Sequence, residues 1–242
     1  MKKLKELMLD IIRHFRSHIR YQYMDELSSQ IIINISNNLS QMEQTSLMLN
    51  FEEDLKMVVD VDDETGNINS SSFASSYKFI DNYFFNFIYS FQQIHGAHIY
   101  SVNGKIIYTR NSNQAIHRTV QVNNEKWFQD ALDKKGIKTY IGRHKNAYLN
   151  DNTDVISLYR AIIDYHSNKV LGVIVIDQDI EKIGKIIDSI DMKEKNAVFV
   201  LDDRNSLVYG NDMKLYDNLH SAATAAAQIV MKKWCAAFTT LL

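Results

Sequence analysis

The chain has 242 residues, 45% hydrophobic and 23% charged, with 8 Gly, 1 Cys and no Pro. That composition excludes collagen-like, low-complexity and wholly disordered chains. The missing prolines, where about 12 would be ordinary, exclude Pro-rich linkers and favour uninterrupted helices and turns built on Gly, Asn and Asp. A net charge of -2 supplies no general positive field for a phosphate backbone, so no nucleic-acid partner is expected.

Lys2, Lys3, Lys5, Arg13, Arg16 and Arg20 stand against Glu6 and Asp10 in residues 1–20, with Leu4, Leu7, Met8, Ile11, Ile12, Phe15 and Ile19 at helical spacing. This predicts a basic amphipathic helix, either packed or set beside a membrane surface. Glu6 and Asp10 interrupt what would be the apolar core of a signal peptide. No stretch reaches the ~18 continuous apolar residues of a membrane span. From about 21 to 56, Leu27, Ile31, Ile35, Leu39, Met42 and Leu49 recur at intervals of three, four or seven, which predicts one long helix. Asn34, Asn38 and Gln41 form a polar row beside this stripe, expected as a solvated face.

Residues 60–72 are acidic and rich in Gly, Asn and Ser, and read as a loop. Asp60, Asp62, Asp63 and Glu64 lack the alternating oxygen ligands, central Gly and terminal Glu of a calcium loop, so no metal is expected. Phe73, Tyr77, Ile80, Phe84, Phe87, Ile88 and Phe91 mark a second helix with an aromatic core face. The period then switches to two. His98, Tyr100 and Val102 lead into Asn103-Gly104, a strong hairpin signal, and 105–110 returns.

A loop to about 123 precedes a short helix at 125–134, closed by Gly136. Strands follow at about 138–143, 155–165 and 169–176; Gly172 to Ile176, apolar on both faces, belongs in the centre of a sheet. A helix at 179–190 leads to a second strand-turn-strand unit, 197–201 and 206–209, about 100 residues after the first. Two such openings predict two related sheet modules in series. After 221 the chain turns Ala-rich with no strand pattern, and 221–242 remains unassigned. Cys235, the single cysteine, makes neither an internal disulfide nor a zinc site, and reads as a small apolar residue. No phosphate-cradling Gly-rich loop, GxSxG elbow, HExxH pair or kinase block occurs, so neither catalytic residues nor a cofactor are expected.

Long helix, second helix, hairpin, short helix and three antiparallel strands make an α+β layout, a PAS-like antiparallel sheet fed by a long N-terminal helix. The sequence resembles the double Cache extracytoplasmic sensor domain of YesM-type sensor histidine kinases over about 21–215. The resemblance is carried by Ser29-Gln30-Ile31-Ile32-Ile33-Asn34-Ile35-Ser36-Asn37-Asn38-Leu39, by Lys126-Trp127-Phe128-Gln129, by Ser157-Leu158-Tyr159-Arg160-Ala161-Ile162-Ile163, and by Gly172-Val173-Ile174-Val175-Ile176-Asp177. It implies a membrane-distal module at 21–190, a partial membrane-proximal module at 191–220, and a domain outside the cell membrane, anchored by flanking segments. It also implies a homodimer through the long helix and a small-molecule solute held between the sheet and the loops opposite.

In amino-acid-binding members of that family, an Arg two places before a Trp takes the ligand carboxylate and an Asp ending the last strand takes the ammonium. Trp127, Tyr140 and Asp177 fall at the Trp, a pocket Tyr and that Asp, whereas Glu125 stands at the Arg position, Lys126 at a Pro and Phe128 at a Tyr. An acid cannot replace a guanidinium as a carboxylate clamp. The ligand therefore stays open among amino acid, peptide, sugar and cation. Tyr100 and His144 join the candidates by position on strands, and Arg160 by its charge among apolar neighbours. Each has a structural alternative: Trp127 as core, Asp177 as helix N-cap, Arg160 in a buried ion pair with Asp177 or Glu125. A helical-dimer scaffold with a ligand-free sheet is the rival function, distinguished by whether a cavity lies between the sheet and the loop 111–124.

Overall fold

In a computed structural model the described residues are 2–59, 71–111, 121–145, 152–188, 197–202 and 206–218, with the backbone alone for 2–21 and 24. The predicted loop at 60–72 lies outside them except for its last two residues, and the acidic cluster, Cys235 and the tail 221–242 lie outside them entirely.

Helix α1 spans Lys2–Leu49, so the basic segment and the long helix are one element. It closes at Leu49 rather than near 56. Asn50, fully buried, accepts the Ile163 backbone N–H at Oδ1 (2.9 Å) and donates through Nδ2 to the Tyr165 hydroxyl (3.0 Å). A side chain committed to the sheet in this way competes with continued helix. The N–H groups of Asn50, Phe51 and Glu52 tighten onto the carbonyls three residues back, and α2 (Glu53–Val59) then starts with Glu53 and Asp54 at its positive end. Helix α3 is Ser71–Ser90.

Strands β1 (Ile94–Ser101) and β2 (Ile106–Asn111) form the hairpin, with Gly104 at φ +77 in its turn. Helix α4 is Lys126–Asp133, followed by β3 (Thr139–Lys145), β4 (Asp154–Asp164), β5 (Lys169–Asp179) and α5 (Ile180–Asp188). The sheet order is β2-β1-β5-β4-β3 with antiparallel neighbours, and β5 is central as its two-faced apolar sequence predicts. Gly172 lets β5 approach β1 there: a Cβ would stand 2.2 Å from the Tyr100 carbonyl oxygen.

Each sheet face buries one layer. Ala97, Ile99, Leu158, Ile162, Ile174 and Ile176 pack against Met42, Leu55, Phe84 and Ile183 from the helices α1, α2, α3 and α5. On the other face Tyr100, Ile106, Tyr159, Val173 and Val175 meet Phe128 and Ala131 of α4. The polar row on α1 differs from expectation: Asn38 is buried, and both Asn38 Oδ1 and Gln41 Oε1 accept from Gln93 Nε2 (3.1 and 2.8 Å). Asn38 and Gln41 thus tie α1 to Gln93, the residue just before β1. Strands β6 (Phe199–Leu201) and β7 (Leu207–Gly210) form a separate antiparallel pair. It docks on α5 through Tyr209, whose ring would lie 2.4 Å from a Cβ on Gly184. No helix among the described residues is long and apolar enough to cross a membrane.

Candidate functional site

The α4 side of the sheet carries a small cleft. Strand alternation sends His98 and Tyr100 of β1, Ser157 of β4, and Val175 and Asp177 of β5 to this face, and Trp127 of α4 covers them. Strand β3 contributes two residues three apart, Ile141 and His144, because a bulge between them resets the alternation. The cleft volume is about 10 Å³, about one water molecule. The aromatic wall is edge-packed: Trp127 meets Tyr100 at 5.7 Å and Tyr159 at 5.9 Å between ring centroids. Tyr159 in turn pins α4 by donating to Asp130 Oδ2 (2.6 Å). The Asp130 carboxyl lies below its ordinary range, held there by hydrogen bonds from Lys134 and the Tyr159 hydroxyl.

The cleft floor is polar and buried. Asp177 Oδ2 lies 2.9 Å from His98 Nε2, with both side chains at most 2% exposed. Its Oδ1 accepts from the Ser157 hydroxyl at 2.5 Å. His98 Nδ1 lies 2.7 Å from Thr109 Oγ1, and His144 Nε2 lies 3.3 Å from Ser157 Oγ. Burial works to raise the Asp177 carboxyl, but the positive charge and hydrogen bond of His98, the Ser157 hydroxyl and the charge of His144 outweigh it and hold the group below the carboxylate range. Gly96 makes the arrangement possible: a Cβ there would stand 3.1 Å from His98 Nε2, in the path by which the imidazole leans toward Asp177.

Four of the seven sequence candidates, Trp127, Tyr100, His144 and Asp177, come together in this cleft. Asp177 is not the cap of the next helix. Strand β5 runs on to Asp179, whose Oδ1 accepts from the N–H groups of Glu181 and Lys182 and caps α5 instead. Tyr140 and Arg160 sit on the opposite face of the sheet, against α1. The Tyr140 hydroxyl donates to Glu43 Oε1 (2.7 Å), and burial pushes that phenol up. Arg160 donates to Ser46 Oγ (3.0 Å) and to the Gly136 carbonyl (2.6 Å). The ion pair expected with Asp177 or Glu125 is not the one formed, because Arg160 and Asp177 have opposite strand parity. Glu125 occupies the N-cap position of α4, makes no side-chain capping bond and lies outside the cleft lining.

Sequence reasoning missed His98 and Ser157 as site residues. His98 shares the face of Tyr100 two residues on, and Ser157 is the one serine or threonine inside an apolar strand; parity and polarity together would have found both. Among the described residues no group of three His, Cys, Asp or Glu side chains is placed to hold a metal ion.

No family model and no curated protein matches the chain. Solved structures do. The ligand-binding domain of the Campylobacter jejuni chemoreceptor Tlp3, bound to L-valine, is similar at a TM-score of 0.55 and 16% identity, covering 78% of this chain and 70% of that one. The sensor domain of the Vibrio cholerae histidine kinase DctB gives 0.57 at 13% identity, covering 80% and 67%. The ligand-binding domain of the Pseudomonas aeruginosa amino-acid chemoreceptor PctC, bound to GABA, gives 0.52 at 13% identity, covering 80% and 77%. The chain thus has the α+β fold of Cache-type, PAS-like sensor domains, with the long N-terminal helix and antiparallel sheet that the order of its elements predicts.

Proposed function

We propose that this chain is a small-molecule-sensing input domain of a bacterial membrane receptor, lying on the extracytoplasmic side. Its parent would be a two-component histidine kinase of the YesM type, with residues 191–220 opening a second module. Residues 1–20 of α1 would lead toward the membrane, and α1 would pair with its copy in a homodimer. The reading rests on one observation: a buried Asp177, bonded to His98 and Ser157, at the floor of a cleft walled by Trp127 and Tyr100. A buried charged network is a poor way to stabilise a sheet, since apolar side chains of similar volume do as well or better. Perturbed carboxylates in clefts are instead a mark of binding sites.

Among the described residues the cleft lining holds no Arg or Lys, so they supply no carboxylate clamp of the amino-acid type. An amine or other hydrogen-bonding solute fits the floor better than a free carboxylate does. A water-sized volume means that entry requires α4 to move away from the sheet. Binding would favour one position of the sheet against α1 only by its difference in affinity for the two arrangements.

A thermal-shift screen of amines, amino acids, dipeptides, sugars and organic acids tests the reading. A binding solute raises the unfolding temperature with concentration, by about 2.7 kcal/mol of stability at 100 times its Kd. Trp127→Ala should abolish that response. A folded domain that no solute class stabilises sinks the proposal. The small cleft volume would then favour the rival reading, a helical-dimer scaffold whose sheet carries no solute.

A further inference from the structure

The polar floor can be counted donor by donor. An ionised Asp177 offers only acceptors. Ser157 has a single hydroxyl proton, and with Oγ 2.5 Å from Asp177 Oδ1 that proton lies on the carboxylate side. His144 Nδ1 lies 2.8 Å from the Gly142 carbonyl oxygen, which only accepts, so Nδ1 carries a hydrogen. That leaves His144 Nε2 facing Ser157 Oγ at 3.3 Å. With a neutral ring, Nε2 is a lone pair directed at an oxygen whose proton is used elsewhere. With a protonated ring, Nε2–H donates to Ser157 Oγ, and each donor along the row from Gly142 to Asp177 meets an acceptor.

We infer that the cleft is a proton-binding site: His144 takes up one proton at Nε2, and Ser157 connects that charge to the buried carboxylate of Asp177. Without the proton, the serine hydroxyl has to turn to His144, and Asp177 is left with one donor fewer. His98 sits at the other end of the row: its Nε2–H serves Asp177 Oδ2, and its Nδ1 shares a hydrogen bond with the Thr109 hydroxyl.

The charges around His144 are otherwise committed. Arg143 and Lys145, its neighbours on β3, both bind Asp154 of β4. Asp202, beside β6, lies against Gly142, and α4 contributes the uncharged Trp127. From β5 and β1, Asp177, His98 and the Tyr100 phenol complete the titratable groups lining the cleft among the described residues. Strand β3 also carries Tyr140, bonded to Glu43 of α1. One edge strand therefore joins the protonation site to the long helix. The inference goes beyond small-molecule sensing and holds with no solute bound.

The test is NMR of the histidine rings in the full chain, without added solute, between about pH 5 and 8, where imidazole titrates. One ring signal, removed by His144→Gln, should gain a proton at Nε2 across this range. Ser157→Ala should lower the proton affinity of that ring, and Ser157→Thr, which keeps a hydroxyl, should restore it. A His144 ring that stays neutral throughout overturns the inference, as does a midpoint unchanged in Ser157→Ala. If the serine variants do not fold, the wild-type Nε2 signal alone decides. A null solute screen combined with a titrating His144 separates this inference from the sensing proposal.

Discussion

At the scale of single residues, the sheet is organised by which way each side chain points. Ser157 and Arg160 are three apart on β4, and one faces the cleft while the other faces α1. Gly172 shows how little room separates the strands at the centre. A Cβ there would stand 2.2 Å from the backbone oxygen of Tyr100 and 2.8 Å from Val59 Cγ1. Backbone atoms of a central strand cannot step aside, so Gly172→Ala should cost about 1–3 kcal/mol or more. Urea unfolding measures this directly; a midpoint equal to wild type would show that β1 and β5 are not so closely apposed. The candidate site was partly legible at this scale. Trp127, Tyr100 and Asp177 could be picked from residue type and position, but Tyr140 was placed one residue out of phase, its pocket-facing neighbour being Ile141. Strand parity can be read only once register is known, and the bulge in β3 hides it further.

Among the elements, the helix-to-sheet junction at Asn50 is the least local. The apolar spacing of α1 was plain in the sequence, and so were α3 and α5 on the same side of the sheet. The break after Leu49 was not, because its cause is Ile163, 113 positions away. The β4–β5 register shifts between Ile162 and Ile163, and Asn50 Oδ1 satisfies the N–H that this shift leaves beside it. Asn50→Ala should therefore leave a buried donor without its acceptor and cost about 1–3 kcal/mol. Chemical denaturation gives the stability loss, and hydrogen exchange gives its location: the Ile163 amide should lose protection well before the amides of β5. Equal protection in the variant would rule out this role for the asparagine. The Gln93 seam has the same origin, since its polar partners on α1 look solvated until the sheet is laid beneath them.

For the whole molecule, acid is the condition under which these local arrangements act together. Asp130, Asp154 and Asp177 are all held below the ordinary carboxylate range. Asp130 is held by its bonds to Lys134 and Tyr159. In Asp154, Lys145 and Arg143 outweigh burial, and in Asp177 the neighbours His98, Ser157 and His144 do so. A depressed folded pKa stabilises fully above the unfolded value of about 3.9 and is lost as pH falls through the folded value. The acid limb of stability should thus begin near pH 4 and steepen below it, with α4 and β3 loosening first. Unfolding temperatures recorded from about pH 5 down to 2.5 check this; a midpoint that holds constant below pH 4 contradicts it. The second strand pair, β6 and β7, clasps α5 through Tyr209, whose hydroxyl is pushed up to about 12 by burial and the nearby Asp188. It stays neutral across this range.

The two-sidedness of β3 and β4 also bears on how such a chain diversifies. Side chains facing the cleft and side chains facing α1 alternate along the same strands, and the contacts described for one set involve other residues than those of the other set. Descendants of one ancestor could differ at Ile141, His144, Ser157 and Asp177 while inheriting the Tyr140–Glu43 and Arg160–Ser46 contacts unaltered. A sheet one residue thick thereby separates the lining of the cleft from the face that packs on the long helix.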